Sequence, residues 1–236
     1  MSAPVLELLD VSKNYHGLRP LRIASLTVGA REQVALLGFD QSTAEVFVNL
    51  VTGASLPDRG SIRMSGRATT EIADSAEWLT LVDRFGIVSR RAVLLDALTV
   101  VQNLAMPYTL EVEPPPAEVR ARAVSLAEEV GLDTSALDRP IAELDAAGVF
   151  RARVARAVAL DPAVLLFEHP TADVPRSDVV ALATRCRAVA AARGIAAIVL
   201  TADREFAEAS ASRVLTLEPA TGRLTGGGWW SRLRGR

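Results

Sequence analysis

The chain has 236 residues, of which 50% are hydrophobic and 23% are charged, so it has ample apolar surface for a core and is not disordered as a whole. Its length suits one α/β domain, with or without an inserted subdomain, better than two full domains. Lysine and arginine number 26 against 28 aspartate and glutamate residues, and this near balance argues against a protein that binds nucleic acid through bulk positive charge.

Cysteine, lysine and histidine are scarce, and their scarcity limits the chemistry. The single cysteine, Cys186, excludes an internal disulfide and a cysteine metal cluster and fits a reducing compartment. Lysine occurs once, at Lys13, and histidine twice, at His16 and His169. No apolar run reaches the roughly 18 residues of a membrane span, and the N-terminus lacks a signal-peptide pattern. We therefore expect a soluble, cytoplasmic protein.

The first third of the chain alternates short apolar runs with turn residues. Strands are predicted at residues 5–9, 21–28, 33–37 and 61–64. Residues 33–37 form a nearly continuous apolar run, which is typical of a strand covered on both faces. Gly38 ends this run, and a helix is predicted over residues 44–51.

Helical periodicity dominates the middle of the chain. Three prolines at 114–116 predict the start of a helix over residues 117–130, which Gly131 ends. Further helices are predicted at residues 149–160 and 177–192, and strands at 163–167, 195–200 and 214–217. Strands that alternate with helices indicate an α/β fold with a largely parallel sheet.

The last eleven residues, 226–236, differ from the rest. Three glycines at 226–228 predict a hinge, and Trp229 and Trp230 stand beside three arginines. Such a segment suits a lipid headgroup surface or a partner protein, and it equally suits a frayed terminus. We therefore divide the chain into a domain over residues 1–225 and a Trp/Arg tail.

Short segments in a fixed order resemble the ATP-binding-cassette (ABC) ATPase family over nearly the whole chain. They lie at residues 11–15, 49–53, 56–62, 98–107, 155–162 and 170–172. The resemblance implies an ABC-type P-loop fold, with a mixed, largely parallel core sheet, an antiparallel β edge and a helical subdomain inserted at roughly residues 92–150. Residues 103–107 are similar to the branch of lipoprotein-releasing and macrolide-export proteins.

The resemblance implies ATP with Mg²⁺ as cofactor, bound by a phosphate loop and by an aromatic residue, Tyr15, beneath the adenine. The loop positions are Gly38, Phe39, Asp40, Gln41, Ser42, Thr43, Ala44, Glu45 and Val46. Such a loop requires glycines, a lysine and a hydroxyl. Here Gln41 and Thr43 replace two glycines, Ala44 the lysine and Glu45 the hydroxyl. Each lost charge-assisted phosphate contact costs about 1.5–3 kcal/mol.

At the other positions that carry the family's chemistry, the required residues are also replaced. Arg90 aligns with the glutamine that senses Mg²⁺, Asp145 with the signature serine that faces a partner's nucleotide, and Ala202 with the switch histidine. Glu168 and His169 replace the Walker B Asp-Glu pair, so the general base is lost. Glu168 either binds Mg²⁺ or pairs with a nearby arginine, for which Arg90 is one candidate.

These departures favour a pseudo-ATPase with a structural or regulatory role in a membrane transport complex. Two alternatives stay open, a slow ATPase that uses Glu168 and His169, and a module that binds a different ligand in the old nucleotide site. By resemblance, the partners are a membrane permease and a second cassette, in a homodimer or a heterodimer, and no nucleic acid is expected. The implied location is the inner face of the cell membrane.

Overall fold

A computed structural model describes residues 3–226, and in it the strands form two sheets. The strands of these described residues are β1 (Pro4–Lys13), β2 (Leu21–Gly29), β3 (Gln33–Leu37), β4 (Arg59–Met64), β5 (Arg67–Ala68), β6 (Phe85–Val88), β7 (Val164–Glu168), β8 (Ala196–Thr201), β9 (Arg213–Glu218) and β10 (Arg223–Gly226). The α-helices are α1 (Gln41–Val51), α2 (Ser75–Val82), α3 (Val100–Ala105), α4 (Ala117–Val130), α5 (Ala146–Val158), α6 (Val179–Arg193) and α7 (Arg204–Ser210).

The larger sheet has six strands in the order β10-β9-β3-β8-β7-β6. Its five strands from β9 to β6 are parallel, and β10 pairs antiparallel with β9. Every residue of β3, β7 and β8 is buried, which confirms that the continuous apolar runs predict strands covered on both faces. The predicted α/β fold with a largely parallel core sheet is therefore confirmed.

The smaller sheet has four antiparallel strands in the order β2-β1-β4-β5, and it is the antiparallel edge that the resemblance implied. One buried cluster fills the space between the two sheets and around α1. Phe39 and Phe47 meet there edge to face, with ring centroids 5.7 Å apart. Helix α1 is therefore fixed between the sheets, and its first turn lies where β3 ends.

A second buried cluster lies on the other face of the larger sheet. It joins apolar residues of α3, α4 and α5, such as Leu104, Leu126 and Phe150, to Phe167 of β7 and Phe206 of α7. The helices within the region predicted as an inserted subdomain thus share one core with the sheet. Of the helices described between residues 3 and 226, none is long and apolar enough to cross a membrane.

Several element boundaries differ from the predicted ones for local reasons. Helices α1 and α5 each begin three residues earlier than predicted, because Asp40 and Asp145 cap them. Helices α2 and α3 and strands β5, β6 and β10 were not predicted. Gly226, predicted as part of the hinge, is the last residue of β10, and the remaining tail lies outside the described residues.

Gly86 lets β6 pack directly on α5. A Cβ atom at this position would stand 2.1 Å from the carbonyl oxygen of Ala157 and 2.7 Å from the Leu165 side chain. We predict that Gly86→Ala lowers the free energy of unfolding by about 3 kcal/mol, because backbone must move to make room. Urea unfolding measures this change. Gly226→Ala is the control, because within residues 3–226 the nearest atom to an added Cβ is 3.9 Å away, and it should change stability by about 0.5 kcal/mol or less.

Candidate functional site

The candidate site lies at the carboxyl ends of three neighbouring parallel strands, β3, β8 and β7. Gly38 follows β3, Thr201 ends β8 and Glu168 ends β7. In open α/β sheets, ligands bind at this edge. The phosphate-loop, Walker B and switch positions that the sequence singles out are therefore brought together, as the resemblance implied.

Asp40 occupies the amino end of α1 with its own carboxylate. Its Oδ1 atom accepts hydrogen bonds from the Thr43 backbone N–H at 2.7 Å and from the Thr43 hydroxyl at 2.8 Å. The bond from the Thr43 N–H is the largest cause that lowers the pKa of Asp40. A phosphate loop uses free N–H groups of this kind to hold phosphate. Here an internal anion takes the Thr43 N–H, and α1 begins at Gln41 in place of an open loop.

The side chains at the phosphate-loop positions, residues 38–46, do not form a phosphate-binding site. Ala44, at the lysine position, is fully buried in the core between the sheets, and Phe39 is buried with it. Gln41 and Ser42 are exposed on the first turn of α1, and Val46 packs on the core. Gly38 keeps a left-handed φ of 88° and lies close to the backbone of β9.

Arg91 lies between the two acidic residues of the site. Its Nη2 atom is 2.7 Å from Glu168 Oε2, and its Nη1 atom is 3.2 Å from Glu45 Oε1. Glu168 is only 4% exposed, so this guanidinium neutralises a buried carboxylate. The prediction that Glu168 pairs with an arginine fits the structure, but Arg90 was the wrong candidate, since Arg90 pairs with Asp173 at 3.2 Å.

These contacts do not fit ATP with Mg²⁺. Both oxygens of Glu168 accept hydrogen bonds from Arg91, so a divalent ion would meet a positive charge where it needs oxygen ligands. Within residues 3–226, no group of three or more His, Cys, Asp or Glu side chains could hold a metal ion. No cationic side chain replaces the missing lysine on α1, since Glu45 is the charged residue of its first turns.

The signature position repeats the arrangement seen at α1. Asp145 Oδ1 accepts a hydrogen bond from the Gly148 N–H at 2.6 Å and caps α5. Ala146 and Ala147 follow in the first turn, where glycines would leave the backbone open. The amino end of α5, which would face a partner's phosphate in the family, thus presents a carboxylate.

His169 and Ala202 lie at the ends of β7 and β8. The His169 backbone N–H donates to the Leu200 carbonyl oxygen at 2.9 Å, and its φ is +44°. Its Nε2 atom is buried and has no hydrogen-bond partner among residues 3–226. Ala202 is exposed and offers no polar side-chain group. The structure therefore brings these two positions together without giving His169 a group that would orient it as a base.

Tyr15 folds over its own loop. A Cβ atom at Gly17 would stand 2.5 Å from the Tyr15 ring, so the ring covers that glycine. Burial and the nearby charge of Asp40 raise the pKa of the Tyr15 hydroxyl. Tyr15 is thus near the first turn of α1, as expected, and packs on the core between the sheets.

Arg91 is the residue that the sequence analysis did not single out. It follows the aligned glutamine position by one residue, and no motif marks it. The signal that points to it is charge balance. Two carboxylates at positions 45 and 168, close in the implied fold, require a cation once lysine and metal are absent. Arg156 of α5 also contacts the segment after β6, because it donates to the Val93 carbonyl oxygen at 2.6 Å.

We predict that Arg91→Met lowers the free energy of unfolding by about 2 kcal/mol, because it leaves the Glu168 carboxylate buried without a partner. The expected loss is smaller than for a fully buried ion pair, because the Arg91 side chain is 40% exposed. Urea unfolding at neutral pH measures it.

A second substitution separates loss of the pair from loss of packing. Arg91→Met combined with Glu168→Met should recover most of the lost stability, since no charge is then left buried. Arg187→Met, at an exposed arginine of α6, is the control and should be nearly neutral. If the double variant is less stable than Arg91→Met alone, the buried charge is not the cause.

We predict that Asp40→Ala lowers the free energy of unfolding by about 1 kcal/mol through loss of the α1 cap. Because hydrogen bonds from Thr43 lower the pKa of Asp40 from its ordinary 3.8, the contribution is complete well above that value and is lost as the pH falls through the folded-state pKa. Denaturant titrations at pH values above and below the folded-state pKa of Asp40 measure the difference in unfolding free energy between the natural chain and Asp40→Ala. Ser42→Ala serves as the control, and an effect of Asp40→Ala that is equal at both pH values contradicts the prediction.

The model of the ABC transporter family matches residues 21–172. The chain is 30% identical over 217 residues to the methionine import ATP-binding protein MetN of Brucella abortus, covering 92% of this chain and 58% of that protein. It is 31% identical over 226 residues to the pyoverdine export ATP-binding/permease protein PvdT of Pseudomonas entomophila, covering 92% of this chain and 33% of that protein. The chain thus spans little more than half the length of MetN and a third of the length of PvdT.

Solved structures share the fold at lower identity. The dimeric ATP-binding cassette MJ0796 in a post-hydrolysis state, bound to ADP and Pi, superposes with a TM-score of 0.73 at 21% identity, over 93% of this chain and 96% of that one. CbiO1 from Clostridium perfringens, part of the transporter complex CbiONQ, gives 0.81 at 20% identity, over 99% and 92%.

Proposed function

Because the chain belongs to the ABC transporter family, we propose that it is a pseudo-ATPase subunit with a structural or regulatory role in a membrane transport complex. The observation that carries this proposal is the position of Arg91, whose guanidinium pairs with Glu45 and Glu168 at the edge where nucleotide and metal would lie. Asp40 and Asp145 support it, since each caps the helix end that would face phosphate.

A slow ATPase fits these contacts poorly. Hydrolysis requires a group that orients the attacking water and a positive environment for the phosphates. The buried Nε2 atom of His169 has no hydrogen-bond partner among residues 3–226, and the N-cap residues of α1 and α5 are aspartates. The catalytic positions Ala44, Glu45, Arg90 and Ala202 also lack the required groups. The favoured role is therefore docking within a complex and not ATP hydrolysis.

A groove beside β6 supports a membrane permease as the partner. It is open to solvent, and its apolar lining is contributed by Val82, Phe85, Ile87, Met106, Pro107 and Leu160. Val93 and Leu95, in the segment after Arg91, are 63% and 44% exposed. An amphipathic helix of a permease would bury its apolar face in such a groove. We place the protein, by this reasoning, in the cytoplasm at the inner face of the membrane.

Pairing with a second cassette is the other partnership that the family suggests. The bacterial cassette MJ0796 is dimeric in its solved structure. A homodimer of this chain would contain two sites with the Arg91 contacts. A heterodimer with an intact cassette would place Asp145 against the partner's nucleotide, where its negative charge repels phosphate. In either arrangement we expect assembly that does not depend on ATP.

We predict that the purified protein binds ATP more weakly than a Kd of about 1 mM, with or without Mg²⁺. The reason is that Ala44 stands at the lysine position and that the Asp40 carboxylate occupies the Thr43 N–H at the amino end of α1, where its negative charge repels phosphate. Isothermal titration calorimetry up to millimolar nucleotide measures it. Binding in the micromolar range would overturn the pseudo-ATPase proposal.

A restored variant provides the positive control for this measurement. It combines Asp40→Ser, Gln41→Gly, Thr43→Gly, Ala44→Lys, Glu45→Ser and Arg91→Gln, which removes the carboxylates of residues 40 and 45 and the guanidinium of residue 91, supplies the loop chemistry and leaves Glu168 free for a metal ion. If this variant folds and gains ATP binding while the natural chain shows none, the named residues are the cause. Arg187→Met in the natural chain controls for a general change of charge.

A further inference from the structure

Arg193, the last residue of α6, is bound on both sides by groups from other elements. Its Nε and Nη2 atoms donate to the two carboxylate oxygens of Glu129 on α4 at 2.7 and 2.6 Å. Its Nη1 atom donates to the Val158 carbonyl oxygen at 2.8 Å and to Asp161 Oδ1 at 2.6 Å. We call Arg193 with these three acceptors the Arg193 brace.

The brace differs from an ordinary surface ion pair. The Arg193 and Glu129 side chains are only 21% and 26% exposed, and the pairing is bidentate, which fixes the angle between the two groups as well as their distance. The hydrogen bonds that Arg193 donates to Glu129 are the largest cause that raises the pKa of Arg193, and the guanidinium is charged at every physiological pH. Water and salt screen such a contact less than an exposed one.

The Arg193 brace joins two parts of the chain that are far apart in sequence. One is α6, and the other is the helical region, by which we mean residues 100–145 with α3 and α4. Glu129 lies in the last turn of α4, within the helical region, whereas Arg193 ends α6, which packs on the larger sheet through residues such as Leu182 and Val189. Val158 and Asp161 lie between them, where α5 ends and the chain enters β7. One guanidinium therefore connects the helical region, the sheet layer and the end of the helix that passes from one to the other.

A second set of contacts nearby also holds the helical region to the end of α5. The Tyr108 hydroxyl, in the segment between α3 and α4, donates to the Ala159 carbonyl oxygen at 2.7 Å. The Arg122 guanidinium of α4 lies 5.3 Å from the centre of the Tyr108 ring, within the range of a cation–π interaction. The helical region is thus held to the end of α5 at two points that use different donors.

We propose that the Arg193 brace is a conformational lock that holds the helical region of residues 100–145 in one orientation on the sheet, whether or not nucleotide is present. The apolar packing of α4 and α6 within one buried cluster keeps the two helices together, but apolar packing is non-directional, whereas the bidentate pair also fixes the angle between them. The inference goes beyond the proposed function, because none of its residues belongs to the phosphate loop or contacts Arg91. It can hold even if the chain binds ATP.

The test measures the distance between two spin labels by pulsed electron resonance. Ala121→Cys on α4 and Ala181→Cys on α6 place the labels at exposed positions on the two sides of the brace. Cys186 is buried, and its burial raises the thiol pKa to about 12, so it does not compete for the label. We expect one narrow distance distribution in the otherwise natural chain, unchanged by ATP with Mg²⁺.

Arg193→Met keeps the length of the side chain and removes all four hydrogen bonds, so the distribution should broaden or gain a second population. Glu129→Gln keeps the shape of the partner, should show the same change in smaller measure, and provides the test if Arg193→Met does not fold. The double variant should match Arg193→Met, because the contact with Glu129 is already lost once Arg193 is replaced. Arg187→Met, on the same helix, should leave the distribution narrow.

Two outcomes overturn the inference. One is a broad distribution in the natural chain. The other is a distribution in Arg193→Met and Glu129→Gln as narrow as that of Arg187→Met, with all variants folded by circular dichroism. Neither outcome bears on ATP binding, which calorimetry measures separately, so failure of the lock and failure of the pseudo-ATPase proposal are distinguishable.

Discussion

The ion pair of Arg91 with Glu168 is the contact on which the rest of the site depends. A carboxylate at the end of a buried parallel strand needs a positive charge or a metal beside it, since burying it alone costs several kcal/mol. In this chain the charge comes from a side chain, and Glu45 on α1 shares it. The segment after β6 is thereby tied to both β7 and α1, so one guanidinium connects the parts that a bound nucleotide and its metal would otherwise hold together.

Arginine ion pairs recur wherever segments of this chain meet. Arg90 pairs with Asp173, Arg176 pairs with Asp203 and Glu205, and Arg193 pairs with Glu129 and Asp161. The guanidinium group suits this use because its planar set of donors can bind two carboxylates at once and stays charged. With a single lysine in the chain, arginine supplies nearly all the cations that fix loops to the sheet.

The fold was predictable from the sequence because its strongest signals are local. The continuous apolar runs that became β3 and β7, and the order of elements around Gly38, indicate a parallel α/β sheet before any coordinates are known. The short elements were not predictable, since β6 has four residues and depends on Gly86 packing against α5. At the site, the replaced positions were visible, but the partner of Glu168 was not. A choice between Arg90 and Arg91 depends on the path of the backbone after β6, which no periodicity encodes.

The two aspartate caps have a consequence for how the protein depends on its surroundings. A protein that leaves N–H groups open for a ligand becomes more stable as the ligand concentration rises, because binding draws the folding equilibrium toward the native state. Asp40 and Asp145 each satisfy one such group internally, the N–H of Thr43 and that of Gly148, so at both helix ends the chain carries a partial substitute for the ligand. A pseudo-ATPase subunit, as proposed above, would keep the same folded population, and with it the same supply of subunits for assembly, in an energy-starved cell as in a growing one.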